Sequence, residues 1–389
     1  MFFMKSILFI SPEYPPETGA GGIGTYVYEM ARAIKSCDPS ICVSVLAVSF
    51  EKNKRGMEDG VEVIRVKANR KNLLGVHWAT SRWLLKNYQN YDVIEDEVFG
   101  GYCILAKMLL GKKYHYLARL HGTSHEVYAL ERRRGLKYFI FRSVLNFFEK
   151  FIVKRARVIL TSSSLMGVYS FFLWNIDFSK MNIAPLPAAL ENVELGDEDF
   201  PENLRGKEYF LFYGSVQKKK GGEVLKRIIA KILATYPYMY FVILGADLEK
   251  LASYFRGNSQ VIFFGYTGEK ARRSAIIRNA KIVVLPSQFE AFLYTAVEAI
   301  FLNVPTIVTR NCGVSQYLKT FPDYDNIVIE QNNENEFMEK IESIMQNDEN
   351  AKIKTGEQRE QLSRCVEPKK IARQYLNLIA EQYAEKRNI

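Results

Sequence analysis

The sequence is short of sulfur and histidine, with five cysteines and four histidines in 389 residues. Cys37, Cys42, Cys103, Cys312 and Cys365 are scattered, odd in number and free of C-x-x-C spacing. This argues against a disulfide scaffold or a thiolate zinc site and for a reducing, cytoplasmic setting. His121 and His125 stand four apart, as a metal pair on a helix face would, but Gly122, Thr123 and Ser124 between them favour a loop. No apolar run approaches the ~18 residues that a membrane span needs. The opening MFFMKSILFIS has one lysine, a short apolar stretch and no small-residue cleavage site, so it reads as a first strand rather than a signal peptide. Low-complexity tracts, heptad runs and internal repeats are also lacking, which leaves an ordinary globular chain, long enough for two domains.

Acid is scarce in one half only. Residues 1–188 hold 26 Lys and Arg against 16 Asp and Glu, a formal charge of +10, whereas residues 189–389 hold 27 against 27. A basic first half can attract nucleic acid, anionic lipid headgroups or a phosphate-bearing acceptor. No base-reading module accompanies the charge, which argues against nucleic acid. The densest basic stretch is ERRRGLKYFIFRSVLNFFEKFIVKRAR, opened by Arg132, Arg133 and Arg134. Within it Arg142, Asn146, Lys150, Lys154 and Arg157 mark a polar stripe on an otherwise apolar helix. Two readings stand: a core helix with one solvated basic face, or contact with a membrane surface.

Short apolar, β-branched runs alternate with helical patterns. ILFIS, ICVSVLAV, VEVIRV, DVIED, YHYLARL and RVILTSS lie in the first half; YFLFYGS, YFVILGA, QVIFFG, KIVVLPS and TIVTR lie in the second. Strands apolar on both faces and separated by helices predict parallel sheets covered on both sides. The pattern lapses between Pro185 and Lys207, an acidic Pro- and Gly-rich stretch that reads as a linker. Two doubly wound α/β domains follow, with a ligand expected at the carboxyl ends of their strands.

Two stretches carry chemistry. GAGGIG at 19–24 has G-x-G-x-x-G form, but seven residues separate it from the strand before it, and the next acidic candidate, Glu51, comes 27 residues after Gly24. A nicotinamide fingerprint needs a tighter turn and an acid about 20 residues on. What remains is a loop without side chains opening a helix, fit for an anion or a sugar, or a plain turn. The second stretch is PSQFEAFLYTAVEA, where Glu290 and Glu298 stand eight apart around a strand-to-helix turn. On one helix they would be ~12 Å apart, beyond the ~5–9.5 Å over which two carboxylates flank one glycosidic bond. They are better suited to gripping different parts of one ligand, with the backbone N–H groups of 291–295 between them.

Four blocks, in order, resemble the retaining glycosyltransferases of family 4, whose fold is GT-B. PEYPPETGAGGIGTYV is similar to the family's glycine loop, ARLHG to its strand ending in His-Gly, GSVQKKKGG to its GRLxxxKG loop, and PSQFEAFLYTAVEA to its PSxxEGFGLxxxEA. The resemblance implies two Rossmann-like doubly wound domains facing across a cleft: 1–188 for the acceptor, 189–370 for the nucleotide sugar, and a helix at 371–389 returning to the first domain. It implies that Gly21 and Gly22 approach the donor phosphate and sugar, and that His121 orients the donor sugar. Lys220 would neutralise the leaving diphosphate, Glu290 would bond the transferred sugar, and Glu298 would hold the ribose. Ser215, Ala291, Phe292, Leu293 and Tyr294 fall at further donor-binding positions. The implied co-substrate is a nucleotide diphosphate sugar, with no cofactor and no metal, since cations and helix N-termini neutralise charge in this family. The implied activity is hexosyl or N-acetylhexosaminyl transfer with retention to a glycan, lipid-linked or small-molecule acceptor, by a cytoplasmic protein peripheral to the inner membrane face. Departures are visible: Ser215 replaces an arginine, and Ala291 and Leu293 replace the two glycines of EGFG. A non-catalytic nucleotide-sugar-binding scaffold is the alternative those departures suggest.

Overall fold

The structure is a computed structural model that describes residues 4–18, 21–69, 73–111, 115–131, 135–189, 196–319, 327–330 and 333–384. Gly19, Ala20 and Arg132, Arg133 and Arg134 lie outside the described residues, as does 190–195 of the expected linker. The chain divides into two compact units, one of residues 1–189 with 366–389 and one of residues 190–365.

The first unit is built on an eight-stranded sheet: β1 (Ser6–Ile10), β2 (Cys42–Ser49), β3 (Lys54–Glu58), β4 (Val61–Lys67), β5 (Val93–Glu97), β6 (Leu117–Leu120), β7 (Val158–Thr161) and β8 (Met181–Ile183). The order is β3-β4-β2-β1-β5-β6-β7-β8, parallel except for the β3–β4 pair. The second unit carries β9 (Tyr209–Tyr213), β10 (Tyr240–Leu244), β11 (Val261–Phe264), β12 (Ile282–Leu285), β13 (Thr306–Thr309) and β14 (Val328–Ile329), all parallel in the order β11-β10-β9-β12-β13-β14. All eleven apolar runs form strands, because a parallel strand buried on both faces needs apolar side chains at successive positions. The three strands without such a run, β3, β8 and β14, are edges, paired on one side only. A two-residue Asp59-Gly60 turn, with both residues at positive φ, joins β3 to β4.

Helices cross between the strands. In the first unit they are α1 (Gly22–Cys37), α2 (Leu73–Asn87), α3 (Ile104–Leu110), α4 (Ser124–Leu130), α5 (Leu136–Arg155) and α6 (Ser164–Trp174); in the second, α7 (Gly222–Thr235), α8 (Glu249–Tyr254), α9 (Lys270–Arg278), α10 (Tyr294–Phe301) and α11 (Ser315–Leu318). Thr123 and Ser163 cap α4 and α6, their hydroxyls accepting the N–H of Glu126 and of Met166. The helix Pro368–Ala384 packs in the first unit, with Tyr375 stacked on Phe9 of β1 at 6.2 Å.

One expectation needs correction. α5 is not a core helix with a single solvated basic stripe. Only its second half is buried, through Leu145, Glu149, Ile152 and Val153, while the side chains of residues 136–141 are all exposed. The polar stripe is also partly structural, since Asn146 accepts a 2.7 Å hydrogen bond from Trp174 Nε1.

Candidate functional site

The second unit places its candidates on loops at the carboxyl ends of its strands. After β9 the chain makes a loop from Gly214 to Gly221, held to the next strand by Gly214 N–H donating to Leu244 O at 2.9 Å and Val216 N–H donating to Ala246 O at 2.9 Å. Ser215 lies in this loop, and its carbonyl accepts Gln217 N–H at 2.9 Å. The loop closes at Gly221, where φ is +79° and an added Cβ would lie 1.9 Å from Pro286 O. Only glycine permits that approach. The loop after β12 is tied to the same place, since Gln288 N–H donates to Lys219 O at 2.7 Å.

These bonds bring Lys220 to Glu290. Lys220 Nζ lies 3.4 Å from Glu290 Oε1, with the lysine side chain 28 % exposed and the glutamate 15 %. Burial alone would raise the Glu290 pKa, but Lys220 and then Lys219 outweigh it and hold it below the ordinary carboxylate value. Backbone bonds fix Glu290 from both sides: its N–H donates to Asn311 O at 3.1 Å, and its carbonyl accepts Gly313 N–H at 2.8 Å. Lys220 is therefore an oriented, ion-paired cation rather than a free member of a lysine run.

Glu298, one turn inside α10, takes different partners. Its Oε2 is 3.7 Å from Arg273 Nε of α9, and the Tyr213 hydroxyl at the end of β9 hydrogen-bonds it. Burial raises the Glu298 pKa against the opposing pull of Arg273 and Tyr213. Between the two glutamates, Ala291, Phe292 and Leu293 are buried, so only their backbone can serve a ligand. Phe292 packs edge-on to Tyr294 at 5.4 Å and to Tyr317 at 5.9 Å. Leu293 holds φ +90°, a left-handed conformation that costs a non-glycine residue about 1–2 kcal/mol. The ends of β10 and β11 border an open, shallow cavity of about 250 Å³, lined by Leu244, Phe264, Gly265, Tyr266, Thr267 and Arg272 among others.

In the first unit Gly21 is the N-cap of α1 and Gly22 its first residue. Glu13 lies against them: a Cβ on Gly21 would meet its Oε2 at 2.8 Å, and its carboxylate accepts Gly24 N–H. Burial raises the Glu13 pKa and the Gly24 amide opposes the rise. His121 follows β6, and its ring lies 4.7 Å from that of Tyr26, one turn into α1, tilted by 56°. His121 thus lies against the helix that Gly21 and Gly22 open. His121 Nε2 is 3.5 Å from Glu97 Oε2. Burial drives the His121 pKa well down and the Glu97 pKa well up, and so works against charge on either partner. His125, in the first turn of α4, instead bonds Tyr169 at 2.9 Å.

Behind this pair lies a buried charge network. Arg119 Nη2 donates to Tyr26 Oη at 2.6 Å, and Tyr26 donates to Glu95 Oε1 at 2.7 Å. Lys107 pairs with Asp96. Glu149 of α5 accepts from Gly100 N–H at 3.0 Å and from both the N–H and hydroxyl of Ser124, which opens α4. Glu13, Tyr26, Glu97, Tyr213 and Arg273 were not among the sequence candidates. The run Glu95-Asp96-Glu97 was a usable signal, since three acids in a strand otherwise buried on both faces require partners from elsewhere. Arg273 had none, being one of several cations on a helix.

The comparisons with known proteins agree with this architecture. Sucrose-phosphate synthase from Thermosynechococcus elongatus superposes with a TM-score of 0.80 at 18% identity, covering 98% of this chain and 100% of that one. Anabaena HepE in complex with UDP-glucose superposes with a TM-score of 0.68 at 12% identity, over 97% and 99% of the two chains. The fold is that of the GT-B glycosyltransferases. Residues 197–363 match the family Glycosyl transferases group 1, so the second unit carries a domain of that family. Over 382 residues the chain is 24% identical to the uncharacterized glycosyltransferase YqgM of Bacillus subtilis (strain 168), covering 96% of this chain and 97% of that protein.

Proposed function

We propose that the protein moves a sugar from a uridine diphosphate sugar to a glycan or lipid-linked acceptor, with retention at the anomeric carbon and without a metal ion. The observation that carries this reading is Lys220, held by Glu290 yet open enough to meet a ligand. The bond between the anomeric carbon and the diphosphate oxygen breaks, and its electron pair stays on the diphosphate. The acceptor oxygen bonds the same face of the sugar, and its proton passes to the departing phosphate oxygen. Negative charge grows on the diphosphate, where Lys220 and the backbone N–H groups before α10 stabilise it. Glu290 holds the transferred sugar, Glu298 accepts hydrogen bonds from the ribose hydroxyls, and the cavity at Tyr266 receives the base. His121, Gly21 and Gly22 are the first unit's own candidates for contact with a sugar, and the basic charge of residues 1–188 suits a phosphate-bearing acceptor at the inner face of a membrane. UDP and UDP-glucose in the HepE structures support uridine as the base.

The test is incubation of the full chain with UDP-glucose and an acceptor panel in excess chelator, with the product read by proton NMR. Release of UDP and an α-linked glucoside are expected. A β-linked product removes retention, loss of turnover with chelator removes metal independence, and UDP-glucose binding without turnover leaves the scaffold reading in its place.

A further inference from the structure

The first half of α5 is apolar and faces water. Leu136, Tyr138, Phe139, Ile140 and Phe141 are all exposed, Leu136 at 74 % and Phe139 at 59 %. The exposed run continues past Phe141 with Val144 and Phe147, at 43 % and 55 %. Apolar surface left in water forfeits the free energy of its burial, and an exposed run of large apolar side chains on one helix marks a binding site.

The charges around the patch select its occupant. α5 carries Lys137, Arg142, Lys150, Lys154 and Arg155 against a single acid, Glu149, which is buried. Arg142 lies 5.6 Å from the centre of the Phe139 ring, a cation set among the exposed aromatics as in helices that rest in a lipid interface. A second copy of this chain would bring like charges face to face. An anionic lipid surface satisfies both halves of the pattern, taking up the apolar side chains and attracting the cations.

We propose that this face of the first unit docks on an anionic membrane, with Leu136, Phe139 and Ile140 entering the boundary between headgroups and acyl chains. Docking does not depend on the transfer reaction proposed above, because vesicle binding is read without turnover. The full chain should sediment with phosphatidylcholine vesicles containing phosphatidylglycerol, stay in solution with phosphatidylcholine alone, and be released by salt. Leu136→Ser, Phe139→Ser and Ile140→Ser combined should weaken binding by about a hundredfold or more. Lys137→Gln with Lys154→Gln should weaken it by about tenfold and flatten its salt dependence. All five positions are exposed, so both variants should retain the parent circular dichroism and melting temperature. Failure to sediment with anionic vesicles, or sedimentation unchanged in the serine variant, overturns the proposal. So does a vesicle-free dimer of the parent chain that the serine variant dissociates, which would make a second copy the occupant.

Discussion

Each unit sets glutamates against cations or a histidine, with opposite electrostatic results. In the first unit Glu95, Glu97, Arg119 and His121 are nearly closed to solvent, and the charges that persist answer one another within the protein. In the second, Lys220, Glu298 and Arg273 remain 28 %, 33 % and 19 % exposed. Burying a charge costs several kcal/mol, which an internal partner must offset. The first unit has met that cost within the fold, where burial works against a charge on His121. The second keeps its cations partly solvated, as the proposed neutralisation of a diphosphate requires.

Substitutions should expose this difference. Arg119→Met should act on stability: it strands Glu95 and Tyr26 in the interior and should lower the unfolding free energy of the first unit by about 3–5 kcal/mol, read by urea denaturation followed by hydrogen exchange. Lys220→Ala should act on chemistry, lowering kcat about a hundredfold to a thousandfold with little change in urea midpoint. An equal stability loss in the two variants would erase the contrast. Glu298→Ala should weaken UDP binding about tenfold by calorimetry while leaving the rate at saturating donor within a few-fold; unchanged UDP affinity would move the ribose contact elsewhere.

The smallest effect is a pH slope. Burial pushes the Glu149 pKa to about 7 from an ordinary 4.5, despite the donors from Gly100 and Ser124. The folded state therefore keeps this proton to higher pH than the unfolded chain does. The stability it contributes is fully present below about pH 4.5 and is lost as pH rises toward about 7. Glu149→Gln should flatten unfolding free energy against pH across that window. A slope unchanged by the substitution would mean that Glu149 is ionised when folded.

The candidate positions differ in how far the sequence displays their surroundings. Lys220 and Glu290 stand in local blocks whose neighbours, Gly221 and Pro286, shape the contact between them, so a linear reading finds both. The partners of Glu298 come from α9 and the end of β9, 25 and 85 residues away in sequence. Nothing local marks Arg273 or Tyr213. Similarly, eleven strands announce themselves by apolar runs, while β3, an edge strand with the sequence KRGME and no buried residue, does not.

By itself the amino-acid order determined the alternation of buried strands and covering helices, the charge imbalance between its halves and the glycine-bearing loops, since each depends on neighbours within a few residues. Tertiary structure decided which charges survive. Whether a carboxylate's pKa is driven up like that of Glu97 or down like that of Glu290 depends on how much water is removed and which cation comes near. The exposure of Leu136–Phe141 was likewise settled by packing, because an apolar helix reads the same in sequence whether it faces the core or the solvent.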